Sequence, residues 1–437
     1  MIRKRFLQAM YLGFKCLIGF GFKLFYSKTV TDQAHFLDTK GPLILLGNHP
    51  NGMIDPLNIA LLSNRMVHFL AKSQLFGTWF TNWFFNTFYC IPVERPDFAN
   101  GKSVNNEKNF ERCDNFLADG GALFIAPEGT SLDVRRILPL KTGAARIALN
   151  AESKNDFKLG LKFVASGITY VNQGSFWSGQ YIITTAPIGI SDYKEMYSND
   201  SVGAFKHLSL RLHEELKSLN IHLENDGFLP NFEKIIRWLY RGIESDPRQF
   251  YLQGKSLADK INILDQTSTN GLQVLDPFIG AIDGFQKKWR ISEAQVQEVL
   301  NDHSLIKVLT FFLLALIGFP FMVAGFILHF LPNFLPWLVE KLAKQHKIYI
   351  ATTKFMVGFF TYLIYYPLLV KLFINAGYSW YQNLGFIIFT VITGLLFFPY
   401  LSILASLKSC FISYLVNQSE KDEIKKQILT LKDLIYK

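Results

Sequence analysis

The feature that most constrains this chain is residues 308–331, about 24 residues without a charged side chain. Inside lipid a segment must satisfy its own backbone polar groups, so such a stretch reads as an α-helix. At roughly 20 residues per bilayer core, it is also long enough to cross a membrane. Gly318 and Pro320 sit at its centre. Two further apolar runs follow, residues 355–370 (extending past Lys371) and residues 384–407. Lys341, Lys344, Lys347 and Lys354 come after the first run, and Lys408, Lys421, Lys425, Lys426, Lys432 and Lys437 after the last. Only Lys371 lies near the short loop 375–383. Lysine-rich loops stay on the cytoplasmic side. The expected arrangement is therefore a hairpin of the last two runs with both ends inside. The first run would return to the side it came from, as a re-entrant or shallow helix broken near Pro320, and residues 409–437 would form a cytoplasmic charged tail.

The rest of the composition agrees with membrane contact. Charged residues are 18% of the 437, against about 25% in average soluble proteins, while hydrophobic residues reach 49% and the chain holds 41 Phe. A formal charge of +10 points to nucleic acid or anionic lipid; no nucleic-acid motif is present, and the Phe content favours an anionic phospholipid membrane. Residues 1–28 carry Arg3, Lys4, Arg5, Lys15, Lys23 and Lys28, with no acidic residue before Asp32. At helical spacing Lys4, Arg5, Gln8, Lys15 and Lys23 share one arc of roughly 100°, with most bulky apolar residues outside it. This is the pattern of an amphipathic helix in the membrane interface. Lys15 interrupts the apolar core that a secretory signal peptide would need, and no small-residue cleavage site follows. Cys16, Cys90, Cys113 and Cys410 lack metal-like spacing, which suits unpaired thiols in a reducing compartment.

Residues 40–190 alternate strand-like and helical stretches, as α/β folds do. Strands are expected at 43–46, 67–71, 122–126, 161–164 and 181–185, and helices at 102–117 and 139–150. Between them, residues 76–88 are so aromatic that they form either core or a wall facing acyl chains, core being the more frequent use of such a stripe. Residues 191–305 read as a helical accessory region with no evident chemistry, ahead of membrane segments at 306–408.

The run Gly47-Asn48-His49-Pro50-Asn51-Gly52-Met53-Ile54-Asp55-Pro56 follows a buried strand and precedes a helix, where α/β folds often place chemistry. Histidine is the commonest general base, and a carboxylate can fix its tautomer. The plainer use of the same residues is Asp55 as helix cap, with Pro56 at the first helical position. Three later stretches bear on that choice. Residues 90–96 end an apolar run in Arg95, a side chain suited to bidentate binding of phosphate or carboxylate, or else an ordinary surface arginine. Residues 123–131 run from an apolar strand into Pro127-Glu128-Gly129-Thr130, presenting Glu128 beside a permissive glycine; Glu128 would bond substrate hydroxyls or orient a basic side chain, and the tetrapeptide is also a common turn. Residues 161–170 are a buried strand containing Ser166 and Gly167.

In this order and spacing, the stretches resemble the four blocks of the phospholipid/glycerol acyltransferase (PlsC-like) family: Asn48, His49 and Asp55; Ile91 to Arg95; Pro127 to Thr130; and, loosely, Phe163 to Ile168. Lys72 resembles the family's lysine between the first two blocks. The resemblance spans about residues 40–190. It implies an α/β fold, a mixed sheet flanked by helices, and transfer of a fatty acyl group from acyl-CoA or acyl carrier protein to a glycerophosphate acceptor, with no further cofactor and no metal. His49 and Asp55 would be catalytic. Arg95, Lys72, Glu128, Gly129 and Thr130 would bind substrate. Two departures matter. Five residues separate His49 from Asp55 where most members have four, a spacing like that of the microsomal branch acting on glycerol 3-phosphate or dihydroxyacetone phosphate. The arginine usual after Thr130 is replaced by Ser131, so either Arg135 or Arg136 would take over the phosphate or that contact would be missing. The rival readings are another lipid acceptor, such as an amino-acid-containing lipid, and a non-catalytic lipid-binding protein on the same fold. The family's setting implies an active site on the cytoplasmic face of a bacterial inner membrane or endoplasmic reticulum.

Overall fold

Four consecutive aliphatic side chains, Leu43 to Leu46, leave a strand no polar face, so it belongs at the centre of a sheet covered on both sides. The structure, a computed structural model, describes residues 2–87, 89–94 and 106–437. It forms two packing units, Met1–His222 and Leu223–Lys437. In the first, β1 (Tyr26–Asp32), β2 (Leu43–Gly47), β3 (Val67–Lys72), β4 (Cys90–Val93), β5 (Ala122–Ile125), β6 (Lys162–Tyr170), β7 (Ser178–Thr184) and β8 (Ile188–Gly189) make one sheet. Its order is β1-β7-β6-β2-β5-β3-β4, with β8 beside β6. Strand β2 is parallel to β5 and β6, and β3 is parallel to β4 and β5. Strand β7 runs antiparallel to β6, and β1 parallel to β7. The sheet is mixed and flanked by helices, as expected.

Successive strand residues point to opposite faces. Ile44 and Leu46 therefore join Leu123, Ile125, Phe163 and Ala165 in one core. That core is closed by α4 (Glu107–Ala118), α5 (Gly143–Lys154) and α7 (Ser201–Ser218), the last contributing Ala204, Leu208, Leu212 and Leu216. Helices α1 (Ile2–Phe25), α2 (Ile54–Leu62), α3 (Trp79–Thr87) and α6 (Lys194–Asn199) complete this unit. At Gly167 in β6 an added Cβ would stand 2.3 Å from the Leu219 carbonyl oxygen. Backbone cannot yield as a side-chain tip can, so Gly167→Ala is expected to cost about 1–3 kcal/mol, read as a lower denaturation midpoint.

Three expectations change here. The N-terminal helix stops at Phe25, and Tyr26 begins a strand. One cation of its polar arc is spent on the fold, since the Lys15 ammonium donates to the Ser63 carbonyl; separately, the Leu7 carbonyl accepts from Tyr89 Oη at 2.7 Å. Phe22 and Phe25 are buried, whereas Phe6, Leu12, Leu17 and Phe20 face outward. Second, the aromatic stretch is not core. Helix α3 has no buried residue, and Trp79 is 82% exposed, with Phe80 and Trp83 also outward. Phe84 of α3 packs edge-on against Phe14 of α1 at 6.5 Å, so the two helices lie together.

In the second unit α8 (Leu229–Leu239), α9 (Pro247–Thr267), α10 (Asp276–Trp289), α11 (Glu293–Leu300) and α15 (Gln418–Tyr436) are joined by α12 (Leu305–Ala343), α13 (Ile350–Asn375) and α14 (Trp380–Leu415). The last three are long and apolar enough to cross a membrane, which places the chain on one. The third correction lies here. Helix α12 is continuous through Pro320, with Pro332 and Pro336 also inside it, so it does not break at Pro320. Prolines are tolerated in such helices because neighbouring groups satisfy the freed carbonyls.

Candidate active site

Parallel strands point their C-terminal ends to one edge of a sheet, where open α/β sheets bind ligands. The loop after β2 carries His49, β3 ends at Lys72, and β5 leads into Pro127, Glu128 and Gly129. Strand β4 pairs Val93 with Lys72 at the same edge; Arg95, two residues further, lies outside the described residues. Strand β6 outruns β2. Gly47 pairs with Ser166, so Ile168, Thr169 and Tyr170 extend beside the His49 loop.

His49 Nδ1 lies 3.0 Å from Asp55 Oδ2. The five-residue spacing therefore does not keep the pair apart. Gly52 turns the loop with φ +54°, a left-handed conformation that suits glycine, and the Ile54 amide bonds the Asn51 carbonyl at 3.1 Å. Asp55 is fully buried. Its Oδ2 also accepts from the Asn51 amide at 2.7 Å, and its Oδ1 accepts from Tyr170 Oη at 2.6 Å. It does not cap α2. That helix starts at Ile54 with Met53 as its N-cap residue, and no side chain closes its end. A carboxylate in the first turn is nonetheless favoured by the helix dipole. Nδ1 is engaged by Asp55, and Nε2 has no hydrogen-bond partner among the described residues.

Glu128 staples two loops. Its Oε1 accepts from the His49 amide at 3.3 Å and its Oε2 from the Leu138 amide at 2.9 Å. Burial pushes its carboxyl above the usual range, partly offset by those two amides. Gly129 beside it has φ +72°, and a Cβ there would meet Lys141 Cγ at 3.1 Å. Gly129→Ala is thus expected to destabilise by about 1–2 kcal/mol, with denaturation as the readout. Thr130 follows, half-buried, and Ser131 is buried. Arg135 Nη2 donates to the Tyr170 carbonyl at 3.1 Å, which ties it to the strand end that holds Asp55. Arg136 and Lys72 are half-buried.

The sequence reading missed the support behind Asp55. Asn48 pairs reciprocally with the backbone of Ile168, accepting its amide at 2.8 Å and donating to its carbonyl at 3.0 Å. Asn58 Nδ2 reaches Tyr170 Oη at 3.0 Å and Gln180 Oε1 at 2.9 Å. Tyr26 Oη accepts from Asn51 Nδ2 at 2.8 Å. Burial, then the Asp55 charge, holds the Tyr170 phenol well above its usual range, so it stays a donor. Tyr170→Phe removes one charge-assisted bond, and a loss of about 1.5–3 kcal/mol is expected; an unchanged denaturation midpoint would contradict it. Tyr170 and Gln180 do stand out as polar-tipped residues in largely apolar strands, but nothing near them in sequence points to Asp55 or Asn58 as their partners.

Residues 28–169 match the family model described as Acyltransferase. A relative named "Taffazin", from Dictyostelium discoideum, is 32% identical over 124 residues, which is 26% of this chain; the chain spans 41% of that relative's length. Among solved structures, the 1-acyl-sn-glycerophosphate (LPA) acyltransferase PlsC of Thermotoga maritima is similar over 49% of this chain and 78% of its own. The identity is 17% and the TM-score 0.34. The stretch that matches the acyltransferase family model holds the His49–Asp55 pair.

Proposed function

We propose that this protein is a membrane-bound O-acyltransferase that moves a fatty acyl group from a thioester, acyl-CoA or acyl carrier protein, to the hydroxyl of a glycerophosphate. One observation carries the reading: a histidine oriented through Nδ1 by a buried carboxylate, with Nε2 open. In the reaction His49 Nε2 takes the acceptor hydroxyl's proton as its oxygen attacks the thioester carbonyl carbon. The carbon–sulfur bond then breaks, the thiolate leaves, and the proton passes from His49 to sulfur. Asp55 keeps the proton of neutral His49 on Nδ1 and stabilises the imidazolium that forms. A thioester is already activated, so no covalent acyl-enzyme is needed.

Lys72, Arg95 and Arg135 or Arg136 hold the acceptor phosphate in this account, and Glu128, Gly129 and Thr130 shape the acceptor site. Arg135 is supported by its anchorage on the strand end beside Asp55. The outward aromatic residues of α3, next to the outward apolar residues of α1, suit contact with an anionic phospholipid surface, through which the thioester's acyl chain would reach the site. The five-residue His-to-Asp spacing keeps dihydroxyacetone phosphate among the acceptors.

The test is an assay of purified protein with both donor types against glycerol 3-phosphate, 1-acylglycerol 3-phosphate and dihydroxyacetone phosphate. Acyl transfer to at least one is expected. Absence of transfer to all three with either donor would overturn the acceptor assignment.

A further inference from the structure

The three long apolar helices hold a geometric conflict that fixes how they insert. Helix α13 runs antiparallel to the end of α12: Pro336 faces Gly358, Asn333 Oδ1 accepts from Tyr362 Oη at 2.9 Å, and His329 Nδ1 bonds the Tyr366 hydroxyl. Helix α14 runs antiparallel to the beginning of α12. His329 Nε2 lies 3.1 Å from the Thr390 carbonyl, Gly325 abuts Thr393, and Tyr400 Oη donates to the Ala315 carbonyl at 3.1 Å. Both partners thus descend α12 in the same direction, and Tyr366 and Thr390 meet at one residue, His329.

Straight helices cannot satisfy this. At 1.5 Å per residue, Asn375 would lie about 13 Å past the His329 level and Trp380 about 15 Å before it. The connection between them reaches at most ~18 Å, short of the roughly 28 Å needed. Moreover, Phe373 stacks on Phe386 with ring centroids 4.0 Å apart. Residues 367–375 and 380–390 must therefore leave the α12 axis as a hairpin of their own. Pro332 and Pro367, just beyond His329 and Tyr366, are where helices bend.

The result is a three-armed assembly around His329, each arm a helix pair. At the first tip the chain both enters and leaves: Ser413 Oγ bonds the Asn301 carbonyl at 2.8 Å, Tyr414 Oη the His303 carbonyl at 2.6 Å, and Lys421 pairs with Asp302 at 2.9 Å. The second tip holds Lys341, Lys344 and Lys347, with Lys354 3.4 Å from Glu340. The third tip, residues 376–379, has no charge and is bordered by exposed Tyr378, Trp380 and Tyr381, residues that favour membrane interfaces.

We infer that these helices embed in a lipid bilayer with the first and second tips on the cytoplasmic face and the third tip on the opposite face. Three helices of spanning length then make two crossings, because a chain that enters and leaves at one tip cannot cross an odd number of times. Helix α12 re-enters by bending near His329, and the lysines of both inner tips follow the positive-inside bias. Outward Phe312, Ile317, Phe326, Leu363, Ile388 and Leu395 face lipid. This inference is independent of the proposed acyl transfer.

The test places single cysteines at exposed tip positions, Ala343→Cys, Ala376→Cys and Ser419→Cys, with Cys16 and Cys90 replaced. A membrane-impermeant maleimide is applied to sealed vesicles of known orientation. Ala343→Cys and Ser419→Cys are expected to label from the cytoplasmic side and Ala376→Cys only from the other. Wild-type protein treated with an impermeant amine reagent supplies the same readout without substitution: Lys344 and Lys347 should modify together with Lys425 and Lys432. Labelling of position 343 from the side of position 376, or of all three positions from one side, would overturn the inference.

Discussion

Replacing His49 by alanine is expected to lower turnover by about 100- to 10,000-fold, the usual contribution of a positioned general base. The protein should stay folded and membrane-bound. His49 is half-buried and its backbone amide, which bonds Glu128, is untouched by the substitution. The side chain contributes one hydrogen bond, to Asp55. Turnover and secondary structure measured on the same purified sample separate the two effects. Full activity in a folded His49→Ala protein would remove the base from the mechanism.

Asp55 should behave differently, because the proposed mechanism gives it a catalytic role while the fold already gives it a structural one. It is fully buried and serves His49, the Asn51 amide and the Tyr170 hydroxyl. Asp55→Ala leaves those groups without their acceptor, and breaking a buried charged interaction of this kind costs about 3–5 kcal/mol. Asp55→Asn keeps the volume and one acceptor oxygen, so its stability loss is expected to be smaller, about 1–3 kcal/mol. Turnover should still fall about 100-fold or more, since an amide no longer holds the imidazole proton on Nδ1. A variant that loses stability but keeps its rate would assign Asp55 to loop structure alone. Loss of α2 is not expected in either case, because that helix has no side-chain cap to lose.

The central strands were legible because buried parallel strands must be apolar throughout, and Leu43 to Leu46 has no other use. Strand β1 was not. Tyr-Ser-Lys-Thr-Val-Thr-Asp is polar because it lies at the sheet's edge, paired among the described residues with β7 alone. The His49–Asp55 pair was legible only together with the stretches at 90–96, 123–131 and 161–170, because the loop by itself reads as readily as a helix cap. Its backing by Tyr170, Asn58 and Gln180 was not, since partners more than 100 residues apart leave no local signal. Composition also misled at α3, where an aromatic stripe reads alike whether it faces protein or lipid. At Pro320 a local rule, that proline ends helices, gave way to the tolerance of long apolar helices for proline.

The most direct test of the central claim is acceptor-dependent thiol release. Purified protein in phospholipid vesicles is given an acyl thioester with and without a glycerophosphate, and free thiol and ester product are quantified together. The account predicts release that requires the acceptor, matches ester formation mole for mole, and is lost in His49→Ala. Thiol release that ignores the acceptor, or that persists in folded His49→Ala protein, would contradict it.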